Sequence, residues 1–267
     1  MAPSVPLSRS SAASFLSSSI LSGFYRRFRL SWLSGQSQSC YVRCYAVAKA
    51  EKLQLTKKRR RLDEVCLERF QQYSRTFIQS WIIQGYKLEA AIEQFGVDVV
   101  GKVALDSGLS TGGFTDCLLQ QGASCVYGVD VGYGQVADKI RRDERVCVIE
   151  RTNLRYLPGL PQQVDVVTLD LSFISILLVM PAVVNVMKME STLITLVKPQ
   201  FEARRSQVGG GGIVRDPLVH QEVLERIITG VEDFGFCSNG WIESPIKGAE
   251  GNTEFLACFQ RISKEKT

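Results

Sequence analysis

Residues 103–114, Val-Ala-Leu-Asp-Ser-Gly-Leu-Ser-Thr-Gly-Gly-Phe, read as a buried strand running through a glycine turn into a helix, and Asp130 closes a second apolar run, Val-Tyr-Gly-Val-Asp. An α/β sheet holds an adenosine-bearing cofactor with these two features: glycines let backbone approach the ligand, and an acid ending the next strand takes ribose hydroxyls. Asp130 stands 24 residues after Asp106, close to the usual spacing of about 20. The turn is not the Gly-x-Gly-x-x-Gly of a nicotinamide site, because Gly108 and Gly112 are four apart with Ser110 and Thr111 between them. Asn153, in Arg151-Thr152-Asn153 after a third strand, reads either as a ligand for the adenine edge or as a helix cap. Two later strand ends also carry charge: Asp170 in Leu169-Asp170-Leu171-Ser172-Phe173-Ile174-Ser175, and Lys198 in Leu196-Val197-Lys198-Pro199-Gln200-Phe201-Glu202.

The elements that must position these residues alternate. The pattern predicts a helix over 87–95, a strand over 103–106, a helix over 112–121, a strand over 125–130, a helix over 134–139 and a strand over 146–149. A strand over 164–170, a helix over 174–188, a strand over 192–198, a helix over 217–234 and closing strands near 236–243 and 254–260 follow. Such alternation gives an α/β fold with a Rossmann-like, doubly wound and mostly parallel sheet, with ligands at the carboxyl ends of the strands. Ahead of it, apolar positions 62, 65, 66, 67 and 70, then 77, 78, 81 and 82, suggest two short helices split near Gln71 to Arg75.

Composition bounds the reading. The 267 residues and 45% hydrophobic content suffice for one α/β domain and a small appendage. Residues 1–50 hold six Lys or Arg and no acid, with 13 Ser before residue 40, so most of the net charge of +5 belongs to this leader. That is the composition of an organelle transit peptide, cleaved between about Cys40 and Ala50. Serine richness leans towards the chloroplast; Arg26, Arg27 and Arg29 beside Phe24, Tyr25 and Phe28 would also suit a mitochondrial helix. Eight Cys without a Cys-x-x-Cys pair, and His220 as the one histidine, make neither a zinc site nor a disulfide framework. His220, just after Pro217, reads as a packing residue. The apolar stretch 166–186 is broken by Asp170, Pro181 and Asn185, whereas a membrane span wants about 20 apolar residues, so a buried strand and core helix fit better.

With these motifs in view, the chain from Lys87 to Arg261 resembles the TlyA family, formerly called hemolysin A, a branch of the FtsJ-like ribose methyltransferases of ribosomal RNA. The resemblance implies a class I fold that binds S-adenosylmethionine, with Asp106, Gly108, Ser110, Thr111, Gly112 and Gly113 around the methionine and sulfonium, Asp130 on the ribose and Asn153 at the adenine. It also implies a Lys-Asp-Lys-Glu tetrad, matched by Lys87, Asp170, Lys198 and Glu254, the last within Gly251-Asn252-Thr253-Glu254-Phe255, with Glu250 as a nearby competitor. A lysine is protonated at neutral pH, so Lys198 as general base asks for burial and a second cation such as Lys87. Asp170 would orient Lys198, and Glu254 would position the attacking ribose. One departure is Leu109, where the family carries a small residue; its bulk would crowd the methionine end.

Arg61-Leu62-Asp63, Ser74-Arg75 and Ile82-Ile83-Gln84-Gly85 resemble the opening helices of an S4 RNA-binding domain, but the short strands and the Arg-Gly-x-x-Lys-Leu signature expected next are absent. The expected organisation is therefore a transit peptide over 1–50, a partial S4-like segment over 51–86 and the methyltransferase domain over 87–263. The RNA contacts it implies are Lys57, Lys58, Arg59, Arg60, Arg61 and Arg75, with Arg204, Arg205 and Arg215 around a flexible Gly209–Gly212 loop that either clamps phosphate or only connects. Ribosomal RNA or a ribosomal subunit is the expected partner, with no membrane and no metal. Two other readings stay open: a catalytically idle assembly factor, because the S4 portion is incomplete, and a pore-forming hemolysin, on the family's old name.

Overall fold

The computed structural model describes residues 60–262; the leader and Lys57, Lys58 and Arg59 lie outside the described residues. In chain order the elements are α1 (Leu62–Arg69), α2 (Arg75–Phe95), β1 (Val103–Ser107), α3 (Gly113–Gln120), β2 (Cys125–Val129), α4 (Asp138–Arg141), β3 (Val146–Ile149), β4 (Val164–Leu169), α5 (Met180–Val186), β5 (Met187–Val197), α6 (Pro199–Glu202), α7 (Pro217–Glu232), β6 (Phe236–Glu243) and β7 (Phe255–Arg261). The seven strands form one sheet in the order β3-β2-β1-β4-β5-β7-β6. β1 to β5 are mutually parallel, while β7 runs antiparallel between β5 and β6.

Alternating side chains supply two cores. Leu105, Val167 and Leu193 point to the face covered by α5 and α7, and their neighbours Ala104, Val166 and Ile194 point to the face covered by α2, α3 and α4. Strand order reverses between β1 and β4, and in an open α/β sheet that switch point leaves a crevice beyond the strands' carboxyl ends. The antiparallel β7 serves the same end: with Val197 paired to Phe255, Glu254 enters the strand beside the exit of Lys198 from β5.

Three elements differ from the sequence pattern. The helix expected to start at Lys87 begins at Arg75, where the Ser74 hydroxyl accepts the Phe77 N–H at 3.2 Å, and it runs to a left-handed Gly96. The expected boundary between 86 and 87 therefore falls inside one continuous helix. The helix passes Gly85 against α3, where Gly113 has no room for a Cβ beside the Trp81 carbonyl and the Gln84 side chain. Helix 134–139 shrinks to α4 because Gly132 and Gly134 donate their N–H groups to Asp130 and Glu150, which holds this stretch as a loop. The helix over 174–188 becomes a 3-10 turn at Ile176–Leu178 followed by the short α5, since Pro181 has no N–H for a continuous helix, and Met187 already pairs with Val164 of β4.

Candidate active site

The glycine turn is built by β1 and capped by β2. Gly108 has φ +89, and an added Cβ would overlap the Asp170 carbonyl, so the turn lies directly on the end of β4. The Ser110 N–H donates to Asp130 Oδ2 at 2.7 Å and the Gly132 N–H to Oδ1 at 2.6 Å. Each carboxylate oxygen thus holds one backbone donor and keeps a further lone pair. A cavity of about 680 Å³ opens here, lined by Gly108, Ser110, Asp130, Asn153, Asp170 and Phe201 among others. Asn153 both caps a short 3-10 turn, its Oδ1 accepting the Arg155 N–H at 3.0 Å, and faces the cavity.

Four expected cofactor contacts lie beneath the turn instead of on the cavity. Asp106 is fully buried, accepting hydroxyl donors from Thr115 at 2.7 Å and Thr168 at 3.0 Å, and burial pushes its carboxyl up to about 7. Thr111 donates to Gln84 Oε1 at 3.0 Å. Gly112 takes a left-handed φ of +94 as the cap of α3, and Gly113 lets α3 press on α2, where a Cβ would meet the Trp81 carbonyl and the Gln84 side chain. Leu109 does not crowd the ligand either: it is 1% exposed and packs over Gly128 in the core.

The four tetrad positions gather at the strand ends as two ion pairs. Lys198 Nζ lies 2.6 Å from Asp170 Oδ1 and donates to the Ser172 hydroxyl at 3.1 Å. Lys87 Nζ donates to Glu254 Oε2 at 2.7 Å, with side chains 7% and 3% exposed. The second cation expected beside Lys198 is therefore engaged with Glu254, and Lys198 has a carboxylate as its close charged neighbour. Gln84 Nε2 approaches Asp170 Oδ2 at 3.5 Å and Gln200 Nε2 approaches Glu254 Oε1 at 3.4 Å, long hydrogen bonds that link the pairs to α2 and α6.

Sequence reasoning quoted the right motifs but passed over Ser172, Phe173, Phe201 and Glu202 within them. Phe173 is 89% exposed at the cavity rim with φ +63, its ring 4.7 Å from that of Phe201. The signal available in the sequence was an aromatic three residues beyond each charged strand end, Phe173 after Asp170 and Phe201 after Lys198. Beyond Asn153, the Arg151 guanidinium lies 4.1 Å over the Tyr133 ring and that of Arg155 lies 5.2 Å over Tyr156.

The expected RNA contacts are dispersed. Arg60 pairs with Glu68, Arg61 with Asp63 at 2.9 Å, and Arg75 approaches Asp63 at 3.6 Å. The Arg61 guanidinium, with help from Gln79, holds the Asp63 carboxyl down to about 2. Arg204, Arg205 and Arg215 are exposed. Their glycine loop is pinned by a Gly209–Ile213 bridge and by Asn252, which accepts the Val214 N–H and donates to the Gly212 carbonyl, each at 3.1 Å. His220 Nε2 meets the Val214 carbonyl at 2.9 Å, and its ring packs edge-on to Phe255. No helix among the described residues is long and apolar enough to cross a membrane.

A switch-point cavity with an acid after β2, a glycine turn after β1 and a lysine–carboxylate pair after β4 and β5 defines a Rossmann-like domain equipped for group transfer from an adenosine-bearing donor. Residues 84–261 match the model of the FtsJ-like methyltransferases, and the chain belongs to that family. It is 50% identical over 178 residues to the Bacillus subtilis protein YqxC, covering 64% of this chain and 62% of that one. It is 43% identical over 181 residues to the 16S/23S rRNA (cytidine-2'-O)-methyltransferase TlyA of Mycobacterium tuberculosis, covering 67% and 68%. A solved Lactococcus lactis structure superposes with a TM-score of 0.65 at 43% identity, covering 67% of this chain and 90% of that one. The chain thus spans a little under two thirds of the Bacillus protein's length.

The cofactor of this family is S-adenosylmethionine, and the cavity fits it. Asp130 offers free lone pairs for a ribose diol, Leu154 and Val131 supply apolar walls for an aromatic base, and Gly108 and Ser110 bring backbone to the end nearest Asp170.

Proposed function

We propose that this protein methylates a ribose 2′-hydroxyl of ribosomal RNA, with Lys198 as the base that takes the hydroxyl's proton. When bound, S-adenosylmethionine supplies a methyl group on a positively charged sulfur, so the attacking oxygen and its proton are the residues' task. The observation that carries the reading is the Lys198–Asp170 pair at the edge of a cavity whose other wall is Asp130. Asp170 and Ser172 fix the Lys198 Nζ, so little reorganisation is needed when the hydroxyl arrives. Lys87 and Glu254 form the buried wall behind it and hold α2 against the entry of β7. The Phe173–Phe201 pair offers an exposed face on which a nucleobase drawn out of its strand can stack. Arg155, which lines the same cavity, is available for a phosphate. The name of the Mycobacterium relative supports RNA ribose as substrate.

The test is ribose-methylation mapping of ribosomal RNA from cells with and without the protein, with add-back of wild type or Lys198→Ala. One modified ribose should vanish without the protein, return with wild type and stay absent with the variant. Full methylation by Lys198→Ala would overturn the role of that amine. On the leader's composition we also propose the chloroplast as destination; a fluorescent fusion that collects in mitochondria would overturn this.

A further inference from the structure

Glu202 closes α6, four residues beyond Lys198, and its side chain is 2% exposed. Its Oε1 accepts the Ile176 N–H and its Oε2 the Ser175 hydroxyl, both at 2.8 Å. Arg226 of α7 donates to the Glu202 carbonyl at 2.5 Å and approaches Oε2 at 3.3 Å. These bonds tie the stretch after β5 to the stretch after β4, the two strand ends that carry the Lys198–Asp170 pair. Between Asp170 and Ser175 lie Ser172, which meets Lys198 Nζ, and Phe173, whose φ of +63 is strained for a residue with a bulky side chain. Such strain persists only where the surroundings over-determine the backbone. On the far side of Phe173, Glu202 provides that determination by fixing two consecutive residues through one carboxylate.

We propose that Glu202 is a positioning residue: it holds the 170–176 turn in its strained form, which sets Ser172 against Lys198 and presents Phe173 to an incoming nucleobase. The inference rests on the RNA-methylating reading. It assigns a purpose to a buried carboxylate that the proton transfer does not use. Charge-assisted bonds of this kind are among the stronger ones, so their loss should be visible locally before it is visible globally.

The test joins backbone exchange to kinetics in the full-length protein. In Glu202→Ala, hydrogen–deuterium exchange at the Ile176 amide within 171–176 should quicken by about tenfold or more, as loss of its charge-assisted bond implies, while β4 and α3 stay protected. The KM for ribosomal RNA should rise by a similar factor with the Kd for S-adenosylmethionine within about twofold. Glu202→Gln keeps an acceptor for the Ile176 N–H and should recover most of both properties; Ser175→Ala, which removes one bond and leaves Arg226 alone, should fall between. If Glu202→Ala does not fold, the ordering of the wild type, the Gln variant and Ser175→Ala decides. Unchanged exchange over 171–176, or equal losses in RNA and cofactor binding, would overturn the proposal. Quickened exchange with a wild type that methylates no RNA would sink the reaction and leave the clamp standing. A methylating wild type with unaltered exchange would do the reverse.

Discussion

The site's two lysine–carboxylate pairs are alike in distance and unlike in surroundings. Lys198 and Asp170 are 2.6 Å apart at the cavity, and Lys198 reaches a hydroxyl and lies 5.9 Å from the centre of the rim-side Phe201 ring. Lys87 and Glu254 are 2.7 Å apart, join α2 to the start of β7, and are closed over by Gly248, where any side chain would overlap Glu254. Asp170 lines the cavity; neither Lys87 nor Glu254 does. A pair that can exchange its partner for substrate can do chemistry. The Lys87–Glu254 pair, 7% and 3% exposed against 12% and 7% for Lys198–Asp170, is the more enclosed and ties α2 to β7, so the two pairs can be told apart by experiment.

The largest separation between the pairs should be kinetic. Removing the amine in Lys198→Ala should lower the methylation rate by about 10²- to 10⁴-fold, the range of general base catalysis. Full activity in Lys198→Ala would move the proton transfer elsewhere.

Breaking the sealed pair should do the opposite. Lys87→Met leaves Glu254 buried without its cation, which costs about 3–5 kcal/mol when a partner in a buried pair is lost. Lys87→Met with Glu254→Leu should return much of that stability, since a well-packed apolar replacement is often neutral or better. Denaturant midpoints of the two single variants and the double variant measure this. If Lys87→Met keeps its stability and loses its rate, the pair belongs to the chemistry and the contrast fails.

A smaller effect should appear at the mouth. Phe173→Ala should weaken RNA binding by about 1–3 kcal/mol, the worth of one stacked base, and leave cofactor affinity unchanged. An equal loss of both affinities would make Phe173 a support of the turn instead of a platform.

How much of this was legible depended on whether the cause was local. The glycine turn and Asp130 were readable because a tight turn and a strand-end acid leave their signature within a few residues, and the strands were readable from apolar runs. The partner of Lys87 was not: it lies 167 residues away and follows from β7 running antiparallel to β5, which no local pattern encodes. The burial of Asp106 was hidden for a related reason. A carboxylate at a strand end looks the same in sequence whether it faces ligand or faces Thr115 and Thr168. The continuity of α2 through Gly85 was masked by glycine's weak helix propensity, which packing against Gly113 overrides.

Asp106 is also the third carboxylate of this region and has no lysine, which carries the comparison one step further. Burial raises its carboxyl to about 7, against the pull of its two threonine hydroxyls and with help from the nearby Asp170 charge. In the unfolded chain the same group ionises at about 3.9. Below that pH both states hold the proton and the group exacts no penalty. Between about 3.9 and 7 the unfolded chain ionises while the folded one does not, so stability falls as pH rises, by at most about 1.4 kcal/mol per pH unit. Above 7 the loss is complete and constant. Asp106→Asn keeps the shape without the ionisation and should flatten this part of the Tm profile between pH 5 and 8, while Asp170→Asn, which removes the neighbouring charge, should reduce its span. An Asp106→Asn profile parallel to wild type would mean that the slope arises elsewhere.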